Sequence, residues 1–151
     1  MRACRYPPQG IRGVGPRRAS RYGLEFSDYL AQADEEILTV VQIETQAAVE
    51  HIDEILSVEG IDAFFIGPAD LSASVGYLGK WDAPPVLRTI DRLLEAGKRK
   101  GVPAGIFAVG PDHARECLER GFQFVALGSS TEFLVQGAAS ALERVGWRRE
   151  Q

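Results

Sequence analysis

The chain has 151 residues, of which 45% are hydrophobic and 25% are charged, and its net charge is −4. This length suffices for one domain with a buried core, and the acidic balance argues against nucleic acids and anionic membranes as partners. No apolar run reaches the roughly 18–20 residues of a membrane span, and the N-terminus lacks the apolar stretch of a signal peptide. The two cysteines, Cys4 and Cys117, have no metal-ligand spacing, so we expect a protein of the reducing cytoplasm.

Residues 1–25 are predicted to form a loop-like segment, because they are rich in glycine, proline and arginine. Runs of basic residues usually face solvent, so its arginines favour a solvated or intersubunit patch over an RNA-binding one; they are Arg12, Arg17, Arg18 and Arg21. A short helix is predicted next, with Phe26, Leu30 and Ala33 on one face and a cap near Ser27.

Four apolar runs predict buried β-strands, at 37–43, 61–66, 102–108 and 122–127. Each run is followed by one or two helical patterns, over 45–60, 69–75, 84–101, 111–121 and 131–145. Thr45 is predicted to cap the helix after the first strand. Proline at 84 or 85 and at 111 is predicted to open helices, and glycine at 101 and 121 to end them.

The order βαβαβαβα predicts a parallel sheet with right-handed crossovers. Four such units are half of a (β/α)₈ barrel, which typically needs about 250 residues. We therefore expect residues 1–151 to form a single partial barrel domain of the α/β class. An open flavodoxin-like sheet is the alternative, but the glycine-rich phosphate-binding turn that such a sheet usually carries is missing from the sequence.

Two carboxylates follow neighbouring predicted strands. Glu44 comes directly after VVQI, and Asp70 comes after FFIGPA. Because the carboxyl ends of parallel strands meet at one edge of a sheet, the pair can chelate one hard divalent cation through oxygen ligands. The alternative for Glu44 is a solvated acid in the first turn of the next helix, where the helix dipole favours negative charge.

The histidines and lysines offer no obvious catalytic group. His51 falls among acidic residues on a helix and is predicted to lie on the surface, and His113 is predicted to be a first-turn residue rather than a base. No lysine ends a predicted strand, which argues against Schiff-base catalysis.

Five segments in a fixed order carry a resemblance to a known family. They are RYPPQGIRGVG, VQIET, GIDAFFIGPADLSASVG, VPAGIFAV and GFQFVALGSS, and the resemblance covers nearly the whole chain from Arg5 to about Val145. The chain closely resembles the HpcH/HpaI family of class II, metal-dependent pyruvate aldolases, which includes 4-hydroxy-2-oxoheptanedioate and 2-keto-3-deoxy-rhamnonate aldolases. Members of this family are full (β/α)₈ TIM barrels and homo-oligomers. The resemblance implies that this chain is the C-terminal portion of such a barrel, strands five to eight.

The resemblance also implies a site. Glu44 and Asp70 match the family's two ligands of a divalent metal ion (Mg²⁺, Mn²⁺ or Co²⁺), and Gln42 matches a residue beside the metal. Gly67, Ala69 and Asp70 lie where backbone N–H groups at a helix start receive the pyruvate carboxylate. The metal stabilises the pyruvate enolate formed when a 4-hydroxy-2-oxo acid is cleaved to pyruvate and an aldehyde. Read alone, Gln42 also fits a hydrogen-bonded core amide, and the Gly-Pro pair after the second strand fits a plain turn.

The chain departs from the family in its catalytic groups. The family's catalytic His, its substrate-contacting Arg and the acid that supports the base all lie in the first half of the barrel, and no residue here matches them. The Gly-Ser-Ser at 128–130 also differs from the family's usual Gly-x-Asp. We therefore expect little or no turnover from this chain alone. The alternatives are an acyl-CoA lyase-like member of the same superfamily, acting on citramalyl- or malyl-CoA, and a non-catalytic remnant.

Overall fold

The computed structural model describes residues 1–147, so the last four residues of the predicted 1–151 domain lie outside the described residues. Two short 3₁₀ segments, Arg2–Cys4 and Arg18–Gly23, lie within the predicted loop-like segment over 1–25. The further elements are, in chain order, α1 (Phe26–Glu36), β1 (Val40–Ile43), α2 (Gln46–Glu50), α3 (Ile52–Ile55), β2 (Ala63–Ile66), α4 (Pro68–Ser74), α5 (Pro84–Lys100), β3 (Ala104–Ala108), α6 (Pro111–Arg120), β4 (Phe124–Leu127) and α7 (Ser130–Arg144).

The four strands form one parallel sheet in the order β1-β2-β3-β4. Each crossover steps to the next position in the same direction, and crossovers of one hand then place their helices on one face of the sheet. A doubly wound sheet would instead reverse direction partway through its strand order. The consecutive order confirms the predicted partial (β/α) barrel and excludes the flavodoxin-like alternative.

The core lies between this sheet and its helices. Alternate strand residues point into it, and Phe64, Ile66 and Ile106 are completely buried there. Helix α5 supplies the opposing layer with the four side chains predicted to face inward, Val86, Ile90, Leu93 and Leu94. Burying such side chains is the main favourable term in folding, at about 1.5–3 kcal/mol each. No helix within residues 1–147 has the length and apolar character needed to cross a membrane.

Glycine at position 97 sets the distance between α5 and the sheet. A Cβ at this position would lie 2.7 Å from Cε1 of Phe64 and 2.8 Å from the carbonyl oxygen of Val102. Only a residue without a side chain allows the helix to approach β2 this closely. Helix α5 then ends at Gly101, which adopts the left-handed conformation (φ 67°) that the sequence predicted for this position.

Several predicted boundaries are wrong, and all four strands begin two or three residues later than predicted, at 40, 63, 104 and 124 instead of 37, 61, 102 and 122. The first strand begins at Val40 rather than at 37, because the backbone N–H of Thr39 donates to Oδ2 of Asp62 at 2.7 Å and not to a neighbouring strand. The helix predicted over 45–60 is divided at His51, whose backbone (φ −101°, ψ 19°) is not helical. Helix α1 begins at Phe26, before the predicted cap at Ser27, and its start has no side-chain cap.

The other face of the sheet carries aromatic side chains, and no helix within residues 1–147 covers them. Phe65 and Phe124 meet across Gly105 with ring centroids 5.5 Å apart, and Phe124 remains 50% exposed. A Cβ on Gly105 would lie 2.7 Å from Phe65, so the glycine makes this contact possible. Helix α7 likewise has no buried residue, and its exposed apolar side chains include Phe133, Leu134, Val135 and Leu142. The molecule therefore presents two uncovered apolar surfaces.

These surfaces predict self-association. Exposed apolar patches and strand edges without a partner are typical of interaction surfaces. At roughly 50 μM, far above the Kd of a specific complex, we expect sedimentation velocity to show species larger than a monomer. The substitution Leu134→Glu on α7 is expected to shift the sedimentation distribution toward the monomer. The control Val58→Glu, in an exposed loop before β2, should leave the distribution unchanged. A stable monomer at this concentration would contradict the prediction.

Candidate functional site

A cavity of about 280 Å³ opens at the carboxyl ends of β1, β2 and β3. Four of the five residues predicted to form the site line it, and Glu44 contacts one of them directly. The remaining walls are mainly apolar, and the lining residues are Gln42, Phe65, Gly67, Pro68, Ala69, Asp70, Trp81, Phe107 and Val109. The topology therefore brings the predicted residues together at one edge of the sheet.

Gln42 and Glu44 form a hydrogen-bonded pair at the end of β1. The strand alternates, so Ile43 is buried in the core while Gln42 points to the opposite face beside Phe65. Nε2 of Gln42 donates to Oε2 of Glu44 at 2.6 Å, and Glu44 is half-buried. Thr45 then caps α2, as predicted, by accepting a hydrogen bond from the backbone N–H of Ala48 at 3.2 Å. The amide of Gln42 thus fixes the carboxylate of Glu44 where the strand ends.

Gly67 allows this pair to lie against the start of α4. A Cβ at position 67 would sit 3.0 Å from Nε2 of Gln42 and 3.1 Å from Oε2 of Glu44. A larger residue would displace one of these side chains, because contacts this short are rarely tolerated in packed structures. The alternative interpretation of the Gly-Pro pair was a plain turn. Gly67 does more than form a turn, because it also leaves room for the Gln42 and Glu44 side chains.

Helix α4 places Asp70 beside the pair. Pro68 occupies the first helical position, and Asp70 follows in the first turn, where its side chain is exposed to the cavity. The first intrahelical donor is Leu71, which bonds the carbonyl oxygen of Gly67 at 2.9 Å. The N–H groups of Ala69 and Asp70 precede it in the first turn, whereas the N–H of Gly67 donates to Ile43 at 3.4 Å. Of the three predicted carboxylate-binding N–H groups, one is therefore already engaged.

The donor set fits a divalent cation of the Mg²⁺ type. Such an ion is usually held by one or two carboxylates, with substrate and water oxygens as its other ligands. Glu44 and Asp70 follow strands that pair in parallel, with Ile43 opposite Ile66, so both carboxylates lie at the same edge. Within residues 1–147 no group of three or more His, Cys, Asp or Glu side chains could enclose a metal ion. The arrangement suits an open site rather than a closed structural one.

The sequence missed the wall opposite the carboxylates. Trp81 reaches the cavity from the loop between α4 and α5, and its ring stacks on His113 with centroids 4.9 Å apart and an interplanar angle of 27°. His113 lies in the first turn of α6, as predicted, and its Nδ1 accepts a hydrogen bond from the backbone N–H of Val109 at 3.1 Å. The sequence shows only that Trp81 lies in a glycine-containing loop, and this does not identify His113 as the residue it stacks on.

Three further basic residues make contacts elsewhere on the molecule. His51 is exposed and pairs with Glu54 at 3.3 Å, as expected for a surface histidine. Lys98 pairs with Glu95, and Lys100 donates to Ser57 on the outside of the molecule. No lysine or histidine belongs to the described lining of the cavity.

Arg12 packs within the N-terminal segment rather than extending into solvent. Its guanidinium lies 4.7 Å from the centre of the Tyr6 ring and donates to the hydroxyl of Tyr29 at 3.1 Å. The hydrogen bond from Tyr6, with the nearby guanidinium, lowers the pKa of Tyr29, and the same hydrogen bond raises the pKa of Tyr6. The segment is also held to α1 by Arg5, which donates to the carbonyl oxygen of Asp34 at 2.6 Å.

The fold and the cavity define the class of protein. Consecutive parallel βα units with a polar site at the strand carboxyl ends are the arrangement of (β/α)₈-barrel enzymes. The sequence profile of the HpcH/HpaI aldolase/citrate lyase family matches residues 1–137, and the chain belongs to this family. This match confirms the resemblance carried by the sequence motifs. Members of the family are metal-dependent class II aldolases and citrate lyases.

Relatives and solved structures agree with this membership. The 2-keto-3-deoxy-L-rhamnonate aldolase of Escherichia coli K12 is 47% identical over 131 residues, which are 85% of this chain and 49% of the relative. An HpcH/HpaI aldolase/citrate lyase family protein from Burkholderia cenocepacia J2315 superposes with a TM-score of 0.86 at 36% identity, over 97% of this chain and 58% of that one. An HpcH/HpaI aldolase from Desulfitobacterium hafniense DCB-2 gives 0.81 at 31% identity, over 98% and 58%. The chain thus spans about half the length of the curated relatives it matches.

Proposed function

We propose that these residues form the metal- and carboxylate-binding part of a class II aldolase that cleaves 4-hydroxy-2-oxo acids to pyruvate and an aldehyde. The observation that carries the proposal is the hydrogen-bonded pair of Gln42 and Glu44 beside Asp70 at one cavity. Family membership supports aldolase chemistry in general, and the E. coli relative is named for a 2-oxo acid of this kind. The proposal also takes the protein to be cytoplasmic and homo-oligomeric, and the uncovered apolar surfaces of the sheet and α7 support self-association.

Each residue of the site has a role in this proposal. Glu44 and Asp70 hold a divalent ion, Mg²⁺, Mn²⁺ or Co²⁺, and Gln42 orients the Glu44 carboxylate toward it. The N–H groups of Ala69 and Asp70 receive the substrate carboxylate. Gly67 has no side chain and so leaves room for the Gln42 and Glu44 side chains beside the start of α4. When bound, the ion supplies Lewis acidity at the keto oxygen of the substrate.

In this proposal the described residues of the cavity supply binding and electrostatics, and proton transfer needs a further group. A base must remove the proton of the C4 hydroxyl when the C3–C4 bond breaks, and none of the described residues lining the cavity is a histidine or lysine. General acid–base catalysis typically contributes about 10²–10⁴-fold to a rate.

A coupled assay for pyruvate tests the proposal. Pyruvate release from 2-keto-3-deoxy-L-rhamnonate with Mg²⁺ is compared between this chain and the same chain joined to the N-terminal half of the E. coli relative. We expect a trace rate from the chain alone and a rise of at least roughly 10²-fold in the joined protein, because the second half supplies the missing proton-transfer group. Ethylenediaminetetraacetate is expected to abolish the gain.

Three outcomes would contradict the proposal. A fast rate from the chain alone would show that its own residues complete the site. A folded joined protein without metal-dependent release of pyruvate would remove the aldolase assignment. Cleavage of citramalyl- or malyl-CoA in its place would establish the acyl-CoA lyase alternative.

A further inference from the structure

The cavity has two chemically different sides. On one side lie Asp70 and the Gln42–Glu44 pair, and on the other side lie Trp81, Phe107 and Val109. None of the described residues lining the cavity is a lysine or an arginine. A ligand that places its 2-oxo acid end at the carboxylates and their metal therefore directs its remaining atoms toward an apolar wall without a cation.

His113 holds two parts of this apolar wall from behind. Its Nδ1 accepts the backbone N–H of Val109 at 3.1 Å, and its ring stacks on Trp81 with centroids 4.9 Å apart. The loop that carries Trp81 is closed by a turn in which the N–H of Ala83 bonds the carbonyl oxygen of Lys80 at 3.0 Å. Both rings are half-buried. A side chain stacked from behind and fixed by a turn loses little further freedom when a ligand binds.

We propose that Trp81 and Val109 form a specificity wall that selects 2-oxo acids with an uncharged distal chain, and that His113 is the positioning residue of this wall. The inference rests on the proposed function, because it takes the 2-oxo acid end of the ligand to lie at Glu44 and Asp70. It goes beyond that function by naming which substrates the site prefers.

The apolar wall discriminates between ligands by the chemistry of their far end. A methylene group that leaves water for an apolar wall gains roughly fourfold in affinity. A distal carboxylate gains nothing there, since it loses hydration without a cation to pair with and lies near the negative charges of the site. Two ligands of equal length that differ only in this terminal charge should therefore separate clearly.

The test uses the full chain with Trp147→Phe, so that Trp81 is the single remaining tryptophan of the two in the sequence. With saturating Mg²⁺, three probes are titrated and followed by Trp81 fluorescence and by calorimetry: pyruvate, 2-oxohexanoate and 2-oxoadipate. We expect 2-oxohexanoate to change the Trp81 emission and to bind at least roughly tenfold more tightly than 2-oxoadipate, its dicarboxylate of the same length.

Variants of the wall give the second half of the test. In calorimetry, Trp81→Ala is expected to reduce the ratio of 2-oxohexanoate to pyruvate affinity by roughly tenfold, and Trp81→Phe by less, because a smaller ring still covers part of the chain. His113→Ala is expected to lower the same ratio, and His113→Phe to restore part of it through the retained ring stack. Thermal unfolding of each variant separates a loss of selectivity from a loss of fold.

The outcomes separate this inference from the proposed function. Equal affinity for the two six-carbon acids, or an affinity ratio that Trp81→Ala does not change, would overturn the inference alone if pyruvate still binds in a manner sensitive to Glu44→Gln. Loss of pyruvate binding in Trp81→Ala would also overturn it, because Trp81 would then belong to the pyruvate subsite. Failure of pyruvate to bind with Mg²⁺ at all would remove the proposed function and the inference together.

Discussion

Replacing Glu44 by glutamine is expected to lower the affinity of the chain for Mn²⁺ by roughly 10²-fold, since even residues that only support a metal ligand cost about 10–100-fold when changed. The substitution keeps the shape of the side chain and an oxygen that can accept from Gln42, but it removes the negative charge that we propose binds the ion. Asp70→Asn should cost a similar factor, and the double variant should show no saturable binding. Electron paramagnetic resonance of free Mn²⁺ during a titration measures each affinity directly.

Glu50→Gln is the matched control for this prediction. Glu50 is exposed on α2, where its carboxylate accepts a hydrogen bond from Gln46 at 2.9 Å, and it is remote from the cavity lining. Its substitution removes the same charge and should leave Mn²⁺ affinity within about twofold, because screened surface charges contribute little. An equal loss in Glu44→Gln and Glu50→Gln would indicate nonspecific attraction to an acidic protein and would refute the two-carboxylate site.

Replacing Leu93 by alanine is expected to destabilise the chain by about 2–5 kcal/mol, a large part of the 5–15 kcal/mol typical of a domain. Leu93 lies on the inner face of α5 and is completely buried. Its truncation leaves a cavity that the close contact between Gly97 and Phe64 prevents from collapsing. The change is measured by urea unfolding of both proteins at one concentration, so that self-association affects them equally.

Leu118→Ala provides the comparison on an adjacent helix. Leu118 lies on α6 and is 57% exposed, so the same chemical change should alter stability by less than about 0.5 kcal/mol. A similar loss in both variants would show that the exposed face of α6 is covered in solution. A small loss in Leu93→Ala alone would mean that the core relaxes around α5, contrary to the contacts described.

Helices with strong local signals were predictable from the sequence to the residue. Helix α6 begins at Pro111 and ends before Gly121, because proline fixes the first helical φ angle and glycine adopts the left-handed conformation that ends the helix. Strand ends were predicted less well, since an apolar residue such as Ile37 satisfies the pattern without a pairing partner. In the structure the pairing of β1 with β2 begins at Val40 opposite Ala63, and the N–H of Thr39 is taken by the side chain of Asp62.

One side of the candidate site was predictable from the sequence and the other side was not. The sequence could bring Glu44 and Asp70 together, because parallel topology alone places the ends of neighbouring strands at one edge. It could not bring Trp81 to His113, because this contact joins the loop between α4 and α5 to the first turn of α6, and their mutual position depends on how the helices pack. A contact between a loop and a distant helix start leaves no periodic pattern in a sequence, so only the structure shows the apolar wall.

The consecutive strand order has a consequence for symmetry. Within the described residues, β1 and β4 each keep one edge without a neighbour, and both edges belong to strands that run in the same direction. A second copy turned by half a rotation about the barrel axis would set its β1 against the β4 of the first, and its β4 against the other β1, with every strand still parallel. Such head-to-tail contacts close into a ring and stop at two copies. A ring of this kind would carry two copies of Glu44 and Asp70 on one rim, related by the twofold axis.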